Sequence, residues 1–184
     1  MKDRDKNFDI FTSQLDLPFL GSDEEAFNKI FKVLRDNFTL KPNSQQKFID
    51  LGSGDGRVVI YIALKYGLES FGIEINENLI NESKEKVQNL RKNGKLDGKL
   101  LDKITFIYGD FYNLDLGEYD FIYLYSLPTM QKFLKHILKS ARKDAIFIAY
   151  KYPLDVLEGF LEAKKSITVS REEPNIKAYY YKKK

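Results

Sequence analysis

Two acidic residues and a run of alternating glycines stand at spacings that do chemistry. Asp50 lies in the apolar run Phe48-Ile49-Asp50-Leu51, and Gly52, Gly54 and Gly56 follow at every second position. Such a loop lets backbone N–H groups and the start of the next helix approach a ligand closely, because glycine has no Cβ and takes positive φ freely. Glu74 ends a second apolar run, Phe71-Gly72-Ile73-Glu74, twenty residues after Gly54. In doubly wound folds an acid at about 20 residues past the glycine loop accepts hydrogen bonds from ribose hydroxyls, and an ionised carboxylate serves both hydroxyls of a diol. A nicotinamide dinucleotide fingerprint, G-x-G-x-x-G, needs glycine at 57, where this chain has Arg57. The pattern is therefore G-x-G-x-G with Ser53 inside it, and it argues against a dehydrogenase.

These residues need elements to hold them. Residues 48–63 read as a buried strand, the glycine loop and a helix carrying Val58, Val59, Ile60, Ile62 and Ala63. Upstream, Ser22 and Glu25 form a capping box, which predicts a helix over 22–38 with Phe27, Ile30, Phe31, Leu34 and Phe38 on one face. Residues 1–21 have scattered apolar anchors, Phe19 among them, and are expected to form an arm over the domain or a lid over the ligand. Downstream, Gly67 stops the second helix and 70–75 is the second strand. A helix capped by Asn76 buries Leu79, Ser83, Val87 and Leu90, and 95–103 reads as a loop. A strand over 104–108 leads to Gly109-Asp110-Phe111, and 119–125 is the fourth strand. A helix over 129–140 turns Met130, Phe133, Leu134, Ile137 and Leu138 inward; a strand over 145–150 and a helix over 154–164 follow. Strands over 167–170 and 177–181 are joined by a turn too short for a parallel crossover, so they are antiparallel. The expectation is an α/β fold: a doubly wound, Rossmann-like seven-stranded sheet, mostly parallel with a C-terminal antiparallel hairpin. It occupies one domain over 22–184, with its core at 47–184 behind the arm.

Composition narrows the chemistry. Hydrophobic residues form 43% of the 184, enough for a packed core. The absence of cysteine excludes disulfides, thiolate metal sites and a cysteine nucleophile. The lone histidine, His136, builds no zinc site unaided and reads as a surface residue, so no metal is expected. A net charge of +3 does not by itself point to nucleic acid, nor does it exclude it. The charged N-terminus lacks a signal-peptide core and no apolar run is long enough to span a membrane, so a cytoplasmic protein is expected.

The loop with its preceding acid resembles the first motif of the class I S-adenosylmethionine-dependent methyltransferases. That resemblance implies that Asp50, Gly52, Ser53, Gly54 and Gly56 hold the methionine part of S-adenosylmethionine, with the acid near its ammonium group. It implies that Glu74 and Ile75 take the ribose side, that Asp110 receives the adenine amino group, and that Phe111 covers the ring. PFLGSDEEAF, IDLGSGDGRVVIYIA, FGIEIN, YDFIYLYSLP and AIFIAYKYPL look like segments of small archaeal and mitochondrial protein-lysine methyltransferases. Non-SET histone lysine methyltransferases also resemble the IDLGSGDG and GIEI segments, but carry asparagines at strand four that this chain lacks. The fourth strand ends in Tyr125-Ser126-Leu127-Pro128, not in the Asn/Asp-Pro-Pro-Tyr of enzymes acting on amino groups of DNA bases. The resemblance therefore implies methyl transfer to lysine side chains of a protein partner. Tyr125 stands at the acceptor with Phe19, Tyr150 and Tyr152 lining its mouth, and Phe19 also lies near the sulfonium. A small-molecule or RNA methyltransferase and a non-catalytic S-adenosylmethionine-binding module remain the alternatives. No general base is identifiable.

Overall fold

Parallel strands buried on both faces are built from near-continuous apolar runs, and helices must cover each face. The computed structural model of the chain describes residues 20–94, 96–154, 159–170 and 175–184, the side chains of 20–24 and 130 lying outside that set. Its elements are α1 (Leu20–Asn37), β1 (Lys47–Leu51), α2 (Arg57–Tyr66), β2 (Glu69–Glu74), α3 (Glu77–Lys92), α4 (Gly98–Leu101) and β3 (Ile104–Tyr108). A 3₁₀ turn (Phe111–Asn113), β4 (Phe121–Leu124), α5 (Pro128–Ser140), β5 (Ile146–Tyr150), β6 (Leu161–Ser170) and β7 (Ile176–Lys183) follow.

The seven strands form one sheet in the order β3-β2-β1-β4-β5-β7-β6. β1 pairs in parallel with both β2 and β4, so strand order reverses at β1 and opens a crevice at its carboxyl end. β7 runs antiparallel to β5 and to β6, as the short turn requires. Phe48 belongs to the core on one face of the sheet, with Phe31, Ile60, Tyr61 and Tyr180. Ile49 and Leu51 belong to the other, with Ile122, Leu134, Ile137 and Phe147. α1 is pinned to the hairpin by the Tyr180 hydroxyl, which donates to the Ile30 carbonyl at 2.9 Å. Among the described residues no helix is long and apolar enough to cross a membrane.

Several expectations change. α1 begins at Leu20, so Ser22 lies inside the helix and not at its cap, and Glu25 pairs with Lys29 at 2.6 Å. Residues 98–101 form a short helix because Leu100 and Leu101 are buried and Asp97 caps it. Ile80, not Leu79, is the buried residue in the first turn of α3. The helix expected over 154–164 is overturned: Gly159-Phe160 is a turn, and Leu161 already pairs with Lys183 in the hairpin. The apolar spacing there fits a helix, but the ladder to β7 claims 161–163 instead, with Lys164 in a bulge; residues 155–158 lie outside the described residues. Phe133, expected inward, is 51% exposed on α5.

Two glycine sites hold the crevice open. A Cβ on Gly56 would sit 2.4 Å from the Phe106 ring, and its φ is +77°. Gly54 has φ +54° but nothing within 4 Å. Left-handed backbone costs a non-glycine residue about 1–2 kcal/mol, and overpacking adds about 1–3. Gly54→Ala is therefore expected to lose about 1–2 kcal/mol and Gly56→Ala about 2–5 kcal/mol in urea denaturation. Equal losses would contradict this packing.

Candidate functional site

The loop after β1 is anchored to β2 from both ends. The Gly52 and Ser53 N–H groups donate to the Ile73 carbonyl at 2.9 and 3.0 Å. The Gly54 N–H donates to one carboxylate oxygen of Glu74 at 3.0 Å, and the Asn76 N–H donates to the other at 2.9 Å. Each Glu74 oxygen keeps a lone pair for a further donor, which is what a diol needs. Gly72 lets the loop lie this close: a Cβ there would fall 2.7 Å from Ser53 Oγ and 2.9 Å from Val59. Ser53 Oγ is buried with no hydrogen-bond partner among the described residues.

Charge around the loop is unbalanced. Asp55 is clamped by Arg57, whose Nε and Nη2 each donate at 2.9 Å, and by Lys86 Nζ at 2.7 Å. Burial alone would raise the Asp55 pKa, but hydrogen bonds from Arg57 and Lys86 outweigh it and hold the carboxyl below its usual range. Lys86 also reaches the Asp55 carbonyl at 3.2 Å, so the clamp fixes backbone as well as side chain. Asp50 has no such help. It is 4% exposed, and among the described residues no hydrogen bond or ion pair reaches its carboxylate. Burial, then the charges of Glu74 and Asp55, push its pKa well above the ordinary value. A buried carboxylate between two like charges is a place for a cation. The unpaired Asp50, the orphaned Ser53 hydroxyl and the open lone pairs of Glu74 together fit an α-amino acid joined to a ribose.

Beside the loop lies a cavity of about 230 Å³, lined by Leu51, Gly52, Phe111, Tyr112, Leu124, Tyr125, Ser126, Leu127 and Leu134. The Phe111 ring lies over Gly52, at 4.0 Å from where a Cβ would be, and stacks on Tyr112 with centroids 5.3 Å apart. Asp110 caps this 3₁₀ turn, accepting from the Tyr112 N–H at 2.9 Å. His136 stacks on Tyr112 at 5.9 Å, and its two ring nitrogens meet the Tyr112 and Phe133 carbonyls at 3.0 and 3.1 Å. On the opposite wall Tyr125 is 51% exposed, with the Tyr150 and Tyr152 rings at 6.2 and 5.9 Å. Lys151 between them holds φ +71°, a left-handed conformation that bends the chain as β5 ends.

The structure thus brings Gly52, Phe111 and Tyr125 to one cavity, and Asp50, Ser53, Gly54 and Glu74 to the adjoining loop. Asp110 serves its own turn, and Ile75 is 66% exposed beside Glu74, away from the cavity. Phe19 lies outside the described residues. Sequence reasoning missed Gly72, Tyr112, Leu134 and the Arg57–Asp55–Lys86 clamp. Only Gly72 carried a signal, since glycine inside a strand often marks close backbone approach.

The lone buried charge has a thermodynamic signature. The folded-state pKa of Asp50 is raised, so its contribution to stability is complete below the unfolded pKa and is lost as pH rises through the folded pKa. Asp50→Asn, which resembles the protonated acid, is expected to be near neutral in acid. It should stabilise the ligand-free protein as pH rises, by about 1.4 kcal/mol for each pH unit between the unfolded and the folded pKa. A change in melting temperature independent of pH would contradict a buried unpaired carboxylate.

The model of the ANTKMT methyltransferase domain family matches residues 50–159 of this chain. A protein-lysine N-methyltransferase of Saccharolobus islandicus is 29% identical over 114 residues, covering 61% of this chain and 66% of that protein. A lysine N-methyltransferase of Caenorhabditis elegans, named for its action on an ATP synthase subunit, is 26% identical over 138 residues, covering 75% of this chain and 68% of that protein. The matches thus span about two thirds of the length of these curated relatives. The crystal structure of an RNA methyltransferase from Salinibacter ruber, in complex with S-adenosyl-L-homocysteine, superposes with a TM-score of 0.65 at 22% identity, covering 91% of this chain and 93% of that one. That likeness speaks for the fold. The chain belongs to the ANTKMT methyltransferase domain family, and so to the class I S-adenosylmethionine-dependent methyltransferases.

Proposed function

We propose that this protein transfers a methyl group from S-adenosylmethionine to lysine side chains of a protein. The observation that carries the reading is the single cavity that runs from Gly52 in the glycine loop to Tyr125 and Leu127 at the end of β4. It joins a place for the donor to a place for the acceptor. The names of the two curated relatives, both lysine N-methyltransferases, support the choice of acceptor.

When bound, S-adenosylmethionine supplies an electrophilic methyl on a sulfonium. Asp50 faces the ammonium of its methionine part and Glu74 accepts from the ribose hydroxyls. Phe111 packs beside the loop as one wall of the donor position, with Asp110 on the adenine side. Orientation of two reactants is worth roughly 7–11 kcal/mol in favourable cases, and a displacement at carbon asks for little beyond it. The acceptor nitrogen must first lose a proton, because an ammonium has no lone pair. Its ordinary pKa is about 10.4, and apolar surroundings lower it by disfavouring the cation. Leu51, Leu124, Leu127 and Leu134 supply such walls. Tyr125, half exposed, stands at the mouth of these walls.

Glu74→Ala is expected to weaken S-adenosylmethionine binding by more than about 1.5 kcal/mol, as for a lost hydrogen bond to a charged group. Calorimetry on the folded variant checks this, and unchanged affinity would remove Glu74 from the site. Tyr125→Ala is expected to cut turnover at least tenfold, about 1.4 kcal/mol, with donor affinity nearly intact. Donor carrying a labelled methyl, followed by intact-mass and peptide mass spectrometry, reads the acceptor. Label found only in RNA or in small molecules would overturn the lysine assignment.

A further inference from the structure

The 3₁₀ turn carries Phe111 and Tyr112 to the cavity, yet none of its three residues is fully buried. A stack of rings joins it to α5. The His136 ring lies 12° from parallel to that of Tyr112, with centroids 5.9 Å apart. Tyr112 stacks in turn on Phe111 at 5.3 Å and 27°, and Phe111 reaches over Gly52 of the glycine loop. The stack therefore runs from α5 to the donor position. α5 is a firm base for it. Leu134, Ile137 and Leu138 are buried beneath the helix, and Gln131 donates to the Pro153 carbonyl at 2.7 Å. Ser140 Oγ adds a second attachment by accepting from the Leu116 N–H at 3.0 Å.

Both ring nitrogens of His136 meet carbonyl oxygens, Nε2 that of Tyr112 at 3.0 Å and Nδ1 that of Phe133 at 3.1 Å. A carbonyl only accepts, so each contact needs an N–H on the ring. The neutral imidazole has one N–H and one lone pair. It makes one of these bonds and sets its lone pair against the other oxygen. The imidazolium has two N–H groups and makes both. His136 is exposed, so its proton exchanges freely with solvent. Among the described residues the charges around the ring are Lys132, Lys135 and Lys139 on α5, and Asp110 and Asp115 beside the turn. Lys132 and Lys139, about one helical turn to either side, oppose a positive ring. They are exposed, however, and their ammonium groups lie against the Phe133 and Phe160 rings. Repulsion between exposed charges is weak in water and screened by salt, whereas charge-assisted hydrogen bonds act in direct contact.

We propose that His136 is a positioning residue for the donor. As the imidazolium it ties the 3₁₀ turn to α5 and fixes Tyr112 and Phe111 against the glycine loop. Donor affinity then rises as pH falls through the range where imidazole takes up a proton. This rests on the donor position given above, with Phe111 as one of its walls. His136 touches no atom of the donor in this arrangement; it acts through Tyr112.

The test uses 5′-methylthioadenosine, which carries the nucleoside and lacks the amino acid. It is made in the full-length Asp50→Asn protein, so that this buried carboxylate does not titrate. Calorimetry should show the probe bound about threefold more tightly at about pH 6 than at about pH 8. Adding His136→Phe keeps a stacking ring that cannot titrate. The affinity should then be the same at both pH values and close to that of the parent at the higher one. Because linkage is reciprocal, the probe should in turn favour the protonated ring. His136 is the single histidine of the chain, so its ring C–H signals are unambiguous by NMR. Near neutral pH they should move toward the imidazolium position as the probe is added, a readout that needs no substitution at 136. Equal affinity at both pH values in the parent, ring signals that do not move, or a pH dependence that survives His136→Phe overturns the positioning role and leaves the donor site standing. Failure of the wild type to bind either S-adenosylhomocysteine or 5′-methylthioadenosine overturns both.

Discussion

Everything at this site depends on how closely the loop after β1 is drawn against β2. Three backbone N–H groups make the attachment, Gly52 and Ser53 to the Ile73 carbonyl and Gly54 to one oxygen of Glu74, whose other oxygen the Asn76 N–H holds. The attachment is sterically conditional. It needs no side chain on Gly72 beneath Ser53, and none on Gly56 beneath Phe106. A carboxylate that receives two backbone donors is fixed in place before any ligand arrives, so little ordering remains to be done on binding. The Asp55 clamp acts on the same loop from the far side. Arg57, at the position where a dinucleotide-binding loop has glycine, closes this loop with an ion pair to Asp55.

The second consequence is electrostatic. Folding places Asp50, Asp55 and Glu74 around one short loop, and among the described residues only Asp55 is neutralised by cations. A protein selected for stability alone would not leave a buried carboxylate next to two others. Strain of this kind persists where a ligand relieves it. A cation supplied by a ligand would relieve it. The cavity beside the loop is different in kind: Tyr125 and Leu127 there are exposed apolar groups, where the loop is buried and acidic.

Much of this was legible in the residues. Gly52, Gly54, Gly56 and Glu74 announce a strand–loop–helix–strand unit, because their conformational and chemical demands are local and their spacing is set by the length of one helix. The mostly parallel sheet and its antiparallel hairpin follow from β-α alternation and a final turn too short to cross over. What escaped was whatever long-range pairing decides. The spacing of Leu154, Phe160 and Leu161 fits a helix, yet pairing with β7 claims residues 161–163 for a strand. Phe133 fits the inward face of an amphipathic helix by type, but α5 rotates Leu134 and Ile137 to the core and leaves it outside. Lys86 gives no sign in the sequence that it reaches across to Asp55, thirty-one residues away.

The central claim is that Asp50 is an unpaired buried charge awaiting the ammonium of the donor. It is tested most directly by measuring, in wild type and Asp50→Asn, the affinity for S-adenosylhomocysteine and for 5′-methylthioadenosine, which keeps the nucleoside and lacks the amino acid. The expected result is a loss of at least tenfold for S-adenosylhomocysteine, about 1.4 kcal/mol, with 5′-methylthioadenosine bound equally well by both proteins. Equal losses for the two ligands, or none for either, would contradict the claim.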